Sequence, residues 1–385
     1  MLRLPLWLVG FRPFFILACL AGLSLPLWWA LIYTGAVPPA PTFAVSPLQW
    51  HAHEMFYGFG WAGLGGFLLT ATKNWVGVRG WHGPALIALV AAWLFDRVAM
   101  DFGAGWPPAL FWLANSLFMA ACIAMVMTTL LHHRAKDSFD DNHFLLLALP
   151  LFLPAKWLLT QGDYFALGWG MTLALFRVAF LVMLERTLTQ FMRGLFRVEI
   201  LRHRGLDHAI KWLALLLVFE AALPAPLAGV LDFLLAALLG YRFARWYPRQ
   251  AFSRLDIGIM YVGYLAIVLQ LCLAGYGHFT EPAWVGAISV HVFTFGAMGV
   301  VIPAMIVRIA QGHTGRPVVF LTLDKIVLWI MLAALVVRVL LPQLYPAAYM
   351  GWLHLAATCW LVAYGLLLWR FLPMLVSARV DGKEH

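Results

Sequence analysis

The side chains best placed to do chemistry in this chain are histidines set inside or beside long apolar runs. Trp50-His51-Ala52-His53-Glu54-Met55 gathers two imidazoles and a carboxylate. Ser289-Val290-His291-Val292-Phe293-Thr294-Phe295-Gly296-Ala297-Met298-Gly299 carries His291, and Trp352-Leu353-His354-Leu355 carries His354. Neutral imidazole ligates haem iron and copper equally well. Ionisable side chains within apolar spans are costly and tend to be functional, so the chemistry they point to is a metal or haem site. Haem held by two histidines transfers electrons; haem with an open face binds a gas.

Residues two apart on a helix point about 200° from each other, so His51 and His53 cannot both serve one centre from a regular helix. Either His51 belongs to the preceding irregular turn or the two histidines have different duties. Glu54 is a candidate to accept the proton of an imidazole whose other nitrogen binds metal. The plainer alternative is a polar cap on a helix near the interface. Heptad spacing sets Met298 and Met305 on the face of His291, and Gly296 and Gly299 allow a neighbouring helix or a flat ring to come close. Thioether prefers Cu(I), although a methionine stripe also arises from packing alone. Met350 and Thr358 stand one turn to either side of His354.

These histidines are positioned by a membrane fold. Of 385 residues 63% are hydrophobic and 11% charged, too little polar surface to keep the chain in solution. A span needs roughly 20 apolar residues, and twelve runs are read: 11–35, 52–72, 83–101, 108–131, 143–160, 166–185, 210–223, 227–241, 257–276, 282–307, 321–341 and 347–371. The fold class is all-α, a polytopic integral membrane protein treated as one transmembrane domain over 1–385. The seventh and eighth runs, parted by Pro224 and Pro226, also read as one irregular unit, and Pro150, Pro154 and Lys156 interrupt the fifth.

Charge orients the runs. With both termini cytoplasmic, the external segments 36–50, 102–107, 161–165, 224–226, 277–281 and 342–346 hold no Lys or Arg. The other side receives the cations, from Arg3, Arg12, Lys73 and Arg79 through Arg193, Arg202, Lys211 and Arg242 to Arg370, Arg379 and Lys383. In this threading His51, His53, His291 and His354 share the outer leaflet. The net charge of +9 needs no nucleic acid, because anionic lipid headgroups attract these cations. Residues 186–208 read as a cytoplasmic interfacial helix or as an ordinary basic loop.

Other charges in the runs need partners: Asp96, Arg97, Arg177, Glu220, Asp324, Lys325 and Arg338. Arg97 and Arg338 fall at the depth of the histidines and are candidates to pair with haem propionates, with structural ion pairs as the alternative. Arg177 reads best against Glu220. Gly312-His313-Thr314-Gly315-Arg316-Pro317 has a compact turn composition suited to an anion or headgroup, on the side away from the other histidines. The four cysteines lie within apolar runs without paired spacing.

Several segments together resemble one family: Gly10-Phe11-Arg12-Pro13-Phe14-Phe15, the 50–55 element with Gly58-Phe59, Gly66-Phe67-Leu68-Leu69-Thr70-Ala71 leading to Asn74-Trp75, and Gly312-His313-Thr314-Gly315-Arg316. With the surroundings of His291 and His354 they look like the NnrS family over almost the whole chain; Lys73 departs from a commoner proline. The resemblance implies a multi-pass protein of the bacterial inner membrane containing haem and copper and associated with nitric oxide metabolism, denitrification and nitrosative stress. It carries the ligand roles to His51, His53, His291 and His354. Haem b is expected, since no Cys-x-x-Cys-His attachment is present. Nitric oxide would bind there, and its reduction would draw protons through Glu54 and electrons from a quinol or another donor. Whether the chain is an enzyme stays open: the alternatives are a transporter of a metal or metal-nitrosyl species and a non-catalytic haem sensor or assembly protein.

Overall fold

A computed structural model of the chain describes residues 4–139, 142–200 and 202–383; Arg3 lies outside them. Every regular element among the described residues is helical. A backbone in lipid has no water to bond, so each run satisfies its own amides and carbonyls. In chain order the α-helices are α1 (Phe11–Tyr33), α2 (Pro47–His53), α3 (Trp61–Trp75), α4 (Pro84–Phe102), α5 (Pro108–His132), α6 (His143–Ala148), α7 (Phe152–Thr160), α8 (Phe165–Phe196) and α9 (Arg204–Leu216). They continue as α10 (Ala225–Ala244), α11 (Pro248–Phe252), α12 (Leu255–Gly277), α13 (Ile288–Phe293), α14 (Gly299–Gly312), α15 (Thr322–Leu335), α16 (Leu341–Leu344) and α17 (Tyr349–Val376).

Nine helices among the described residues are long and apolar enough to cross a membrane, against the twelve spans expected. The protein is a multi-pass, all-α membrane protein. Three expected runs fall short of that measure, each for a local reason. The run at 52–72 carries His53, Glu54 and five glycines. The run at 83–101 carries Asp96, Arg97 and Asp101. The run at 210–223 breaks into a short 3-10 turn, Leu217–Ala222, in which Phe219 leaves helical geometry. Burial is inverted relative to a water-soluble protein: Leu113, Trp329 and Trp369 are exposed, whereas Arg12, Asp96, Lys156 and Asp232 are buried.

Among the described residues three π-helical turns interrupt the helices: Glu54–Gly60 between α2 and α3, Thr294–Met298 between α13 and α14, and Val336–Leu340 between α15 and α16. A π turn inserts one residue, swings the side chains after it and is frequent at functional sites. One begins directly after His53, another three residues after His291, and the third contains Arg338.

The chain folds as two compact units. The first comprises Met1–Trp169, Ile306–Val319 and Trp360–His385; the second comprises Gly170–Met305 and Phe320–Cys359. In the first unit, α1 lies tightly on α3: a Cβ on Gly66 would stand 2.8 Å from Phe14 Cβ, and the Phe11 amide donates to Thr70 Oγ1 at 2.9 Å. Arg12 is fully buried and its Nη1 donates to the carbonyls of Leu375 (2.8 Å) and Ser377 (2.6 Å), which are left over at the end of α17.

In the second unit, Glu185 on α8 anchors a clamp of cations. It pairs with Lys211 of α9 (2.9 Å), with Arg242 of α10 (2.9 Å) and with Arg202. Arg242 also donates to Tyr264 of α12 at 3.0 Å. The segment 186–208 is shared among the end of α8, an irregular stretch begun by Arg197 at φ +56°, and the start of α9.

Arg12→Ala removes the donor that closes the last helix and leaves two carbonyls short of it, a cost of roughly 1–3 kcal/mol. Thermal unfolding in detergent is expected to shift down, with faster amide exchange confined to residues 371–379; unchanged exchange there would refute the cap.

Candidate functional site

Ser46 opens α2 with a capping box, accepting from the Gln49 amide while the Ser46 amide donates to Gln49 Oε1 at 3.1 Å, and Pro47 occupies the first turn. The helix therefore starts early enough to include His51. The reading that His51 belongs to an irregular turn is corrected, and the two imidazoles diverge as helical geometry requires. His51 stacks on Trp29 of α1, with ring centroids 4.3 Å apart and planes 8° from parallel.

His53 turns into a fully buried polar cluster. Its Nδ1 lies 2.9 Å from Glu54 Oε1, and its Nε2 lies 2.9 Å from Asn115 Nδ2. Since an amide nitrogen only donates, Nε2 accepts and the imidazole proton sits on Nδ1, facing Glu54. Asn115 also donates to Asp96 Oδ1 at 3.1 Å. Lys156 donates to Asp96 Oδ2 at 2.6 Å and to the Asn115 carbonyl. Arg97 closes the cluster, with Nη2 2.8 Å from Asp96 Oδ2 and Nε 2.8 Å from Glu54 Oε2. Glu54, Asp96, Arg97 and Lys156 thus form two carboxylates matched by two cations around a neutral imidazole.

The π turn makes room for this cluster. Gly58 has no side chain where a Cβ would stand 2.8 Å from Arg97 Nη1 and 3.0 Å from Glu54 Oε2. Its carbonyl accepts from Trp93 Nε1 at 3.1 Å, and the guanidinium of Arg97 lies 5.1 Å from the Trp93 ring. The structural ion pair that was the alternative for Arg97 is therefore present, with Asp96 and Glu54, whereas Asp101 receives the Trp50 indole at 2.7 Å.

His291 and His354 belong to the second unit, and His51 and His53 to the first. His291 Nδ1 lies 2.7 Å from the Ala287 carbonyl, a contact that puts the proton on Nδ1. Its Nε2 faces Arg338 Nη2 at 3.3 Å, and the same Nη2 donates to the Tyr349 hydroxyl at 3.2 Å. The start of α17 therefore meets His291 at Arg338, and His354 follows Tyr349 by five residues on α17. His354 is half-buried; its carbonyl accepts from Thr358 Oγ1 at 2.8 Å. Arg177, expected against Glu220, donates instead to Gln270 at 2.9 Å, and Glu220 pairs with His278 at 2.6 Å.

A model of the NnrS protein family matches residues 5–379. The chain belongs to the NnrS family. No curated protein sequence matches it. Three of the segments that carried the family resemblance meet at one corner of the first unit of this NnrS chain. Phe11 packs on His313 at 5.5 Å between ring centroids, Gly10 sits against Leu69, and Arg379 donates to the His313 carbonyl at 3.0 Å. Burial, then the charges of Lys73 and Arg379, push the His313 imidazole down to about 4.

Asn115 and Lys156 were not read as site residues, nor were Asp232 and His278. The available signal was a polar side chain inside an otherwise apolar run, which Asn115 and Lys156 both are; their common partner, Asp96, cannot be read from spacing.

Two outcomes follow. Lys156→Met strands Asp96 beside one cation fewer and is expected to destabilise the protein by about 3–5 kcal/mol, whereas Lys156→Met with Asp96→Asn recovers most of the loss; equal thermal midpoints for the single and double variants would refute the pairing. Neutral His313 is favoured in the fold, so its contribution is intact above pH 6.5 and drains as pH falls toward about 4. His313→Gln should flatten the pH dependence of the unfolding midpoint across that window, and an unaltered slope would remove His313 as its source.

Proposed function

We propose that this NnrS-family protein binds haem b and copper in the bacterial inner membrane and acts on nitric oxide there, by binding it or by reducing it. Family membership over 5–379 supports the reading, and the observation that carries it is the state of His291. Its Nδ1–H is tied to a backbone carbonyl, the arrangement that orients a ligating imidazole, and its Nε2 lone pair is directed away from the helix toward Arg338. The residues therefore fit a metal or haem ligand at His291. Arg338, once released from Nε2, is a cation ready for an anionic group such as a propionate.

His51, His53, His291 and His354 make up the proposed ligand set. His53 would ligate only by releasing Asn115, so its present bonding favours a proton-handling duty with Glu54. Bound haem or copper would supply the redox step and the open coordination position. Reductive coupling of two nitric oxide molecules to nitrous oxide and water consumes two electrons and two protons. The residues contribute the proton side: Glu54, oriented by Arg97 and adjoining His53 Nδ1, is the proposed relay. The electrons come from a quinol or another donor, and membrane lipid gives the apolar gas lateral access.

Natively purified protein is expected to show a haem spectrum that shifts when nitric oxide is added without oxygen; protein free of both haem and copper overturns the reading. Among His51→Ala, His53→Ala, His291→Ala and His354→Ala, His291→Ala should lose cofactor most, and full retention in all four would sink the ligand set. Glu54→Gln should keep its cofactors and slow nitric oxide consumption by about 100-fold or more. Unchanged consumption would exclude Glu54 as the relay, and metal flux in sealed vesicles without consumption would favour the transporter.

A further inference from the structure

A third group of ligand-type side chains lies in the second unit, apart from the clusters described above. Glu220, Asp232 and His278 each offer one ligand atom, and these atoms all lie within 4.8 Å of one another. His278 Nε2 is 2.6 Å from Glu220 Oε1 and 3.8 Å from Asp232 Oδ2.

Helix packing brings them together. Where α10 crosses α12, Gly229 and Gly275 face each other: a Cβ on either would stand 3.1 Å from the other's carbonyl oxygen. His278 lies over Gly229, whose added Cβ would meet His278 Cβ at 3.0 Å, and Asp232 lies over Gly275, whose added Cβ would meet Asp232 Cβ at 3.3 Å. The missing side chains let both helices approach until the imidazole and the carboxylate reach one another. The 3-10 turn ahead of Pro224 then delivers Glu220.

Asp232 is the decisive residue. It is 0% exposed, and neither of its carboxylate oxygens receives a hydrogen bond. The nearby cation, Arg177, whose charge acts on both carboxylates, donates to Gln270 instead. An ionised carboxylate buried without donors is expensive. It forms the floor of the group, while Glu220 and His278, with side chains 27% and 24% exposed, form the mouth.

We propose that Glu220, Asp232 and His278 bind a divalent transition-metal cation of the zinc class, independently of the haem and copper reading. One imidazole and two carboxylates suit zinc and other borderline dications better than Cu(I). Bonds of roughly 2.0–2.2 Å set ligand atoms about 3–3.5 Å apart. Glu220 therefore swings out from His278 and Asp232 draws in, and the two carboxylates neutralise the dication.

The test uses full-length protein in detergent, stripped with EDTA and desalted. Zinc sulfate should raise its unfolding midpoint and be retained after gel filtration. Asp232→Asn and His278→Ala should each weaken zinc binding by at least about 10-fold, the smallest effect expected even of a supporting partner, with haem absorbance unchanged. Loss of haem from the native protein would therefore count against the earlier reading and not this one. No zinc-dependent stabilisation, or equal zinc binding in both variants, means an ion-pair network only and overturns the site. Should the variants fail to fold, Co2+ bound to the native protein should show coupling to a single imidazole nitrogen, and coupling to two or more overturns it.

Discussion

Asp96 sets the terms for the first unit. A carboxylate in the middle of an apolar helix is tolerated only if donors and cations reach it within hydrogen-bond distance, and four helices are committed to that task. α4 supplies Asp96 itself and Arg97, α5 supplies Asn115, α7 supplies Lys156, and α2 with the following π turn supplies His53 and Glu54. Pro150 lies in the 3-10 turn Leu149–Leu151 between α6 and α7 and Pro154 in the first turn of α7, and two residues further on the Lys156 ammonium finds Asp96 in place of water. The cluster fixes the tautomer of His53 as a by-product: because Asn115 must donate, the imidazole proton has one place to go.

The multi-pass helical fold was legible because it rests on composition and run length. The finer count was less legible where a run carries its own polar cluster. α4 reads as a span by length, yet Asp96, Arg97 and Asp101 make it polar on one face. The π turns were not legible at all. A one-residue insertion leaves hydrophobic periodicity almost unchanged over five to seven residues, while it redirects every side chain that follows. His53 and His291 were found by residue type on regular helix ahead of their π turns, whereas the direction of Arg338 depends on a turn that pattern reading does not see.

Three of the segments that carry the family resemblance hold the fold by packing, whereas the 50–55 element and the surroundings of His291 also carry the groups that could do chemistry. Gly10–Phe15, Gly66–Ala71 and Gly312–Arg316 lock α1, α3 and the turn after α14 together through Phe11, Thr70 and His313. Their close approaches leave no room for a side chain at Gly10 or Gly66, so these residues mark the fold through packing. His291 and Arg338, by contrast, are held by a backbone carbonyl and a tyrosine hydroxyl, partners that any helical neighbourhood can offer.

Charge balance distinguishes the two buried acid clusters. Around His53 each carboxylate oxygen faces a donor or a cation, and the set is neutral with the imidazole uncharged, so an added cation would be opposed by Arg97 and Lys156 at contact distance. Around His278 two carboxylates face one guanidinium, which donates through Nη1 to Gln270 and not to them, and one carboxylate has no donor among the described residues. The first arrangement is complete and suited to moving a proton along fixed bonds. The second is short of positive charge and open at its mouth, and the same low dielectric that rewards pairing at Asp96 draws a cation to Asp232.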